Sequence, residues 1–194
     1  MPRTPDQNKE IKDKRRVQMM NVGLRLFGSL PYKEVKVDTI AKTLRVSHGL
    51  FFHYFAGKDD LFTAVWKESV LPFAGLPNYA EALRLGGSAG LEKLCNDFEK
   101  VRKMEIKDQQ KVKIYVLYPQ DEAVAKAFPK LIKGHLLRAV LTKLIKAGQE
   151  EGKIIAGPAS EIGEAGVLLF SALVSNPESL HGDLIYNLLT KGLS

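Results

Sequence analysis

Cysteine is nearly absent from this sequence. Cys95 is the only one among 194 residues, so no intrachain disulfide can form. It follows Leu91 and Leu94 and precedes Phe98 on one helical face, the setting of a buried core thiol more than of a redox sensor. Long apolar runs are also missing. The longest nearly apolar stretch, Ala165 to Val174, is about half of what a bilayer-crossing helix needs. The segment Met1 to Glu10 has no apolar stretch of the signal-peptide kind, so a cytoplasmic protein without a membrane partner is expected. Reaction motifs are missing too. There is no Gly-rich phosphate loop, nucleophile elbow, paired-acid motif or metal-ligand spacing. No enzyme, metal site or cofactor is expected.

What is present is ordinary in amount and uneven in place. Hydrophobic residues make up 45% and charged residues 26%. The net charge is +7, and residues 1–67 hold 13 Lys and Arg against 7 Asp and Glu, while 68–194 hold 16 against 15. The positive excess therefore sits in the first third of the chain. That is the footprint of a phosphate-binding module, or of a solvated basic tail.

The stretch 37–58 decides between them. Ile40, Ala41 and Leu44 lie at helical spacing, and a second helix opens at Ser47, whose side chain can cap it. Two short helices joined by about three residues are a helix-turn-helix signature. The exposed face of the second helix carries His48, Gly49 and His53, so it can approach another surface closely. Upstream, residues 1–8 are expected to be a disordered arm. The run Lys12 to Arg16 begins a helix that buries Met20, Leu24 and Phe27, with Gly23 allowing close packing. Downstream, a fourth helix starts at Lys58 and carries Leu61, Phe62, Val65 and Trp66 to about Leu71. Pro72, Gly75 and Pro77 follow. The domain boundary is placed at 68/69.

Residues 69–194 are expected to be helical throughout. Gly86 to Gly90 is a break, 91–104 is amphipathic, and 111–118 alternates like a strand but finds no pairing partner and is assigned as helix. A short helix at 122–127 is followed by one long helix from Pro129 to Gly152. The last two helices span about 158–174 and 177–192. Ile162, Ala165, Gly166, Leu169, Phe170 and Leu173 form one stripe, while Val167, Leu168, Ala172 and Val174 make the helix apolar nearly all round. The last helix adds Leu180, Leu184, Ile185, Leu188 and Leu189. A symmetric four-helix dimer seam through Ile162, Ala165, Leu169, Leu173, Leu184 and Leu188 is favoured over a monomeric core.

The set Arg16, Leu26-Phe27, Tyr32, Val37, Ile40-Ala41, Val46-Ser47, Gly49, His53-Tyr54-Phe55, Lys58 and Leu61 resembles the DNA-binding domain of the tetracycline-repressor (TetR) family. Gly148-x-x-x-Gly152, Pro158 and the apolar helix pair resemble that family's regulatory half. Pro31, Lys36, Arg45, Leu50 and Phe52 depart from its pattern. Arg45 falls where a left-handed residue is expected, and Phe52 replaces a common Tyr. The resemblance implies an all-α protein, with a three-helix DNA-binding domain followed by a helical ligand-binding and dimerisation domain. It implies that Ser47, His48, Gly49, Leu50 and His53 face the major groove of operator DNA, and that Thr39, Tyr54 and Lys58 hold phosphates. A homodimer would bind a palindromic operator as a repressor. A small apolar or aromatic effector would release it, with the fourth helix transmitting the change. Trp66, Phe98, Tyr115, Tyr118, Phe128, His135 and Phe170 are candidate pocket residues. A ligand-independent DNA-binding regulator on the same fold is the alternative.

Overall fold

The computed structural model describes residues 5–132, 136–178 and 180–192, which contain helices and no strand. The chain forms two compact units, 1–73 and 74–194.

In the first unit, helix α1 runs from Pro5 to Phe27. Much of the arm expected to be disordered is therefore helical. Pro5 opens the helix, where its fixed φ suits the turn and its missing N–H costs nothing. Residues 1–4 lie outside the described part. Met19, Met20, Gly23, Leu24 and Phe27 form the buried face. At Gly23 a Cβ would stand 3.0 Å from Leu61 Cδ2, so the glycine permits the close packing anticipated. Helices α2 (Val37–Leu44), α3 (His48–Tyr54) and α4 (Lys58–Val65) complete the unit, and α1 packs on α2 and α4. The core is aromatic. Phe27 and Tyr32 meet the Phe62 ring edge-on at 5.2 and 5.3 Å. Burying each such ring contributes roughly 1.5–3 kcal/mol. From Trp66 to Val70 the helix widens into a π-helical turn, with Leu71 N–H donating to Trp66 O at 2.9 Å. Arg16 ties this turn to α1 through two hydrogen bonds of 2.6 Å to Glu68.

The second unit contains α5 (Tyr79–Leu85), α6 (Gly87–Glu99), α7 (Ile106–Leu117), α8 (Glu122–Ala127), α9 (Pro129–Ile132), α10 (Leu137–Glu150), α11 (Ala159–Ser175) and α12 (Gly182–Lys191). Helix α10 packs on α6 and α11, and α12 packs on α6. Helix α7 contains the strand-like stretch as far as Leu117, with Tyr118 opening a 3-10 turn, and Glu122–Ala127 falls as expected. Three expectations fail. Gly87 to Gly90 opens α6 and does not break the chain; Gly86 alone separates α5 from α6, at φ 71°. Gly90 is there for packing, since a Cβ on it would lie 2.2 Å from Ala82 O. The long helix from Pro129 is interrupted at Leu136, whose extended backbone (φ −86°, ψ 104°) starts α10 afresh. Pro177 sits in a turn, and the last helix begins only at Gly182, where Glu99 accepts the Gly182 N–H at 2.8 Å.

A buried carboxylate organises the entry to this unit. Asp97 accepts from Lys93, from Lys100 at 2.9 Å and from the Asn78 N–H at 3.1 Å. Burial pushes its pKa up, but these bonds outweigh burial and hold it below the usual carboxylate value. Cys95 is buried, and burial pushes its thiol up to about 12, as a core thiol requires.

Candidate nucleic-acid interface

The turn between α2 and α3 forms from local chemistry. Arg45 takes the left-handed conformation (φ 55°, ψ 46°), and its N–H donates to Lys42 O at 3.1 Å. Arg45 carries a side chain in a conformation that favours glycine, at a cost of roughly 1–2 kcal/mol. The next residue but one, Ser47, caps α3 by accepting the Leu50 N–H at 3.2 Å. On the inner side of α3, Phe51 is fully buried, and Phe55 follows it into the core.

That anchoring turns the other face outward. His48, Gly49, Phe52 and His53 are exposed, and Leu50 and Tyr54 are half-buried. The Phe52 ring is 53% exposed, so it is no part of the three-helix core. A Cβ on Gly49 would meet nothing closer than Ser47 Oγ at 4.0 Å, so nothing inside the chain requires glycine there. His53 sits edge-on to Tyr54 at 5.3 Å. Of the three residues assigned to phosphates, Tyr54 and Thr39 are half-buried. The ammonium of Lys58 donates to Tyr32 O at 2.9 Å and lies 4.1 Å from the centre of that ring. Lys58 thus also joins α4 to the loop after α1. It keeps further N–H donors.

Three further exposed basic residues lie outside the expected contact set. Lys36, Lys42 and Arg45 are exposed around α2 and its turn, and Lys36 gives α2 no side-chain cap. Their signal was present in the local density of positive charge. Asp38, one residue into α2, stands 3.1 Å from His48 Nε2 through Oδ1, with both side chains more than half exposed. This pairing links the two helices and has no signature in spacing.

The candidate pocket residues are dispersed. Trp66, Phe98 and Phe170 are fully buried, and Phe98 and Phe170 pack on each other at 4.4 Å. Tyr115 packs against Tyr79 with the rings tilted and 5.3 Å apart, and burial pushes its phenol up to about 12. Tyr118 is buried, Phe128 is half-buried, and His135 lies outside the described residues. None of the described ones lines a groove of about 480 Å³ whose walls include Pro119, Leu136, Ala139, Arg138 and Lys143.

The seam residues divide. Ala165 and Leu184 are exposed, and Ile162, Leu169 and Leu188 are half-buried. Leu173 must be withdrawn from the seam, because it is fully buried in its own chain with Phe170 and Val174. The outward face of α11 instead carries Leu168, 65% exposed, and Ala172. Nearly every residue of that helix half is apolar, so spacing alone could not separate the two faces. Among the described residues, no helix is long and apolar enough to cross a membrane, and no cluster of His, Cys, Asp and Glu could hold a metal.

Residues 20–65 match the profile of the family described as bacterial regulatory proteins, tetR family. No curated protein matches the chain in sequence. Solved structures match it in fold. A mutant of HlyIIR shares a TM-score of 0.67 at 17% identity, covering 98% of this chain and 100% of its own. The MbdR regulator from Azoarcus sp. CIB gives 0.62 at 18%, with 91% and 97% covered. FadR from Bacillus subtilis, solved in complex with stearoyl-CoA, gives 0.54 at 16%, with 92% and 99% covered.

Proposed function

We propose that this chain, a TetR-type regulator with the family's DNA-binding segment at residues 20–65, acts as a dimeric repressor of genes with palindromic operators. The observation that carries the reading is the outward face of α3. Phe51 and Phe55 fix the helix from inside, while His48, Gly49, Phe52 and His53 are free to meet a major groove. The small profile at Gly49 lets the backbone approach closely. Lys36, Lys42, Arg45 and Lys58 supply charge for the flanking phosphates, which position the helix without specifying sequence. Two copies would read half-sites about one helical turn, ~34 Å, apart.

Dimerisation is supported by the apolar outward residues of α11 and α12, chiefly Ala165, Leu168, Leu169, Leu184 and Leu188. An effector is supported by the groove of about 480 Å³ in the second unit, a volume within the range of small-molecule sites. Its apolar wall beside Arg138 and Lys143 suits an apolar molecule with an acidic group, and the fold-mate FadR was solved with stearoyl-CoA. Release requires that the effector bind the DNA-incompetent state more tightly. The second reading, a regulator without an effector, is favoured by the filled core around Phe98 and Phe170.

The test is duplex selection from a randomised pool, followed by affinity measured against salt. We expect a palindromic consensus and log Kd rising with log salt, one phosphate contact contributing about 0.9 to the slope. Lys58→Ala should lower the slope by about one unit. A flat salt response, or no consensus, would sink the reading. Adding stearoyl-CoA to the complex then separates effector-responsive from effector-independent regulation for that ligand class.

A further inference from the structure

We infer that the groove beside α10 selects an apolar molecule carrying a single negative charge, and that Lys143 is the residue that holds this charge. The inference rests on the reading that the groove takes an effector. Pro119, Leu136 and Ala139 form its apolar part, and Gln120, Arg138, Thr142 and Lys143 complete the wall. The first three of these polar side chains are already engaged within the chain. Thr142 donates its hydroxyl proton to Arg138 O at 2.9 Å. Gln120 Nε2 donates to Val116 O at 3.4 Å. Arg138 Nη2 donates to Glu164 Oε1 at 2.8 Å, and Arg138 Nε lies 2.6 Å from Oε2. Lys143 is exposed and has no hydrogen bond or ion pair among the described residues.

Glu164 decides how much charge the groove can take. Its carboxylate cancels the charge of Arg138, which keeps N–H donors but adds little net attraction for an anion. Among the described residues, Lys143 is left as the uncompensated cation of the wall. One cation beside an apolar surface matches a molecule with one carboxylate. The ammonium donates to the carboxylate, and the rest of the ligand leaves water. A neutral molecule of the same shape forgoes the ion pair. A head group with several phosphates brings more negative charge than one ammonium balances, and brings it close to Glu164. Lys143 is therefore the specificity-determining residue, and Glu164 limits the charge by acting through Arg138.

The probe is cis-parinaric acid, a fatty acid whose fluorescence rises when it leaves water, with its methyl ester as the uncharged counterpart. Both are titrated into the full chain. The wild type should bind the acid about three- to tenfold more tightly than the ester. Lys143→Met keeps an apolar stem without the charge. It should lower affinity for the acid by the same factor and leave the ester unchanged. Stearate should displace the probe from the wild type better than stearoyl-CoA does. Glu164→Gln releases the charge of Arg138 and should narrow that gap. Ala139→Trp fills the groove from an exposed position and should abolish binding of acid and ester, with helical content checked by circular dichroism. If neither acid nor ester binds, or if binding survives in Ala139→Trp, the groove is no effector site and the underlying reading fails with the inference. Several results would overturn the inference alone while the groove still takes a ligand. These are equal affinity for acid and ester, equal losses of both in Lys143→Met, better displacement by stearoyl-CoA than by stearate, and an unchanged gap in Glu164→Gln.

Discussion

Single residues show how far local chemistry reaches. The Ser47 cap was legible because it depends on neighbours within a few positions, and the left-handed Arg45 because the family it resembles has such a residue there. Phe52 was not, because an aromatic in a Phe-Phe pair at the start of a short helix can face either way. The structure turns Phe51 inward and leaves Phe52 53% exposed. A hydroxyl added there would reach solvent, not an apolar interior. Phe52→Tyr is therefore expected to leave the melting temperature unchanged. If the ring lies near a phosphate, it should tighten operator and shuffled DNA equally, by about two- to tenfold, the worth of one neutral hydrogen bond. Fluorescence anisotropy on both duplexes, with a thermal melt of the same variant, checks this. A drop in melting temperature would contradict the observed exposure.

Among elements, the helices with long periodic stripes were placed well, and those governed by a remote partner were not. Helix α5 went unseen because Pro72, Gly75 and Pro77 read as loop. Its start was nevertheless written as Asn78-x-x-Glu81, with Asn78 Oδ1 accepting the Glu81 N–H at 3.0 Å. The break assigned at Gly86 to Gly90 mistook packing glycines for a turn. Glycine carries both meanings, and only the neighbour distinguishes them. Gly90 and Gly49 make the contrast measurable. At Gly90 a Cβ would fall 2.2 Å from Ala82 O and 2.6 Å from Leu144 Cδ2, so Gly90→Ala should cost about 1–3 kcal/mol in chemical denaturation. At Gly49 the space is open, so Gly49→Ala should keep or raise stability, by up to ~1 kcal/mol of helix propensity, while weakening DNA binding. Equal stability effects at the two sites would refute the distinction.

For the whole molecule, the chain divides after Phe73, within the Pro72 to Pro77 punctuation and beyond the 68/69 boundary that the sequence suggested. Burial within α11 was not legible in the sequence. Nearly every residue of its second half is apolar, and only the packing on α10 and α7 selects the inner face. The consequence is a sharp difference between two leucines. Leu168→Glu, on the outward face, should convert a dimer to a folded monomer in light scattering, with helical content preserved. Leu173→Glu puts a carboxylate into the chain's own core and should unfold the second unit, whatever the oligomeric state. A monomeric wild-type protein, or a Leu168→Glu variant that stays dimeric, would exclude this face as the seam.

The wide turn from Trp66 to Val70 also affects comparison by sequence. A π-helical turn takes in one residue more than an α-helical turn, without breaking the helix. Set beside a relative whose fourth helix is regular, this chain carries an insertion inside a helix, where gaps are seldom placed. An ungapped alignment through that helix will pair each position beyond Val70 with the wrong counterpart, one place out of step, until a loop absorbs the difference.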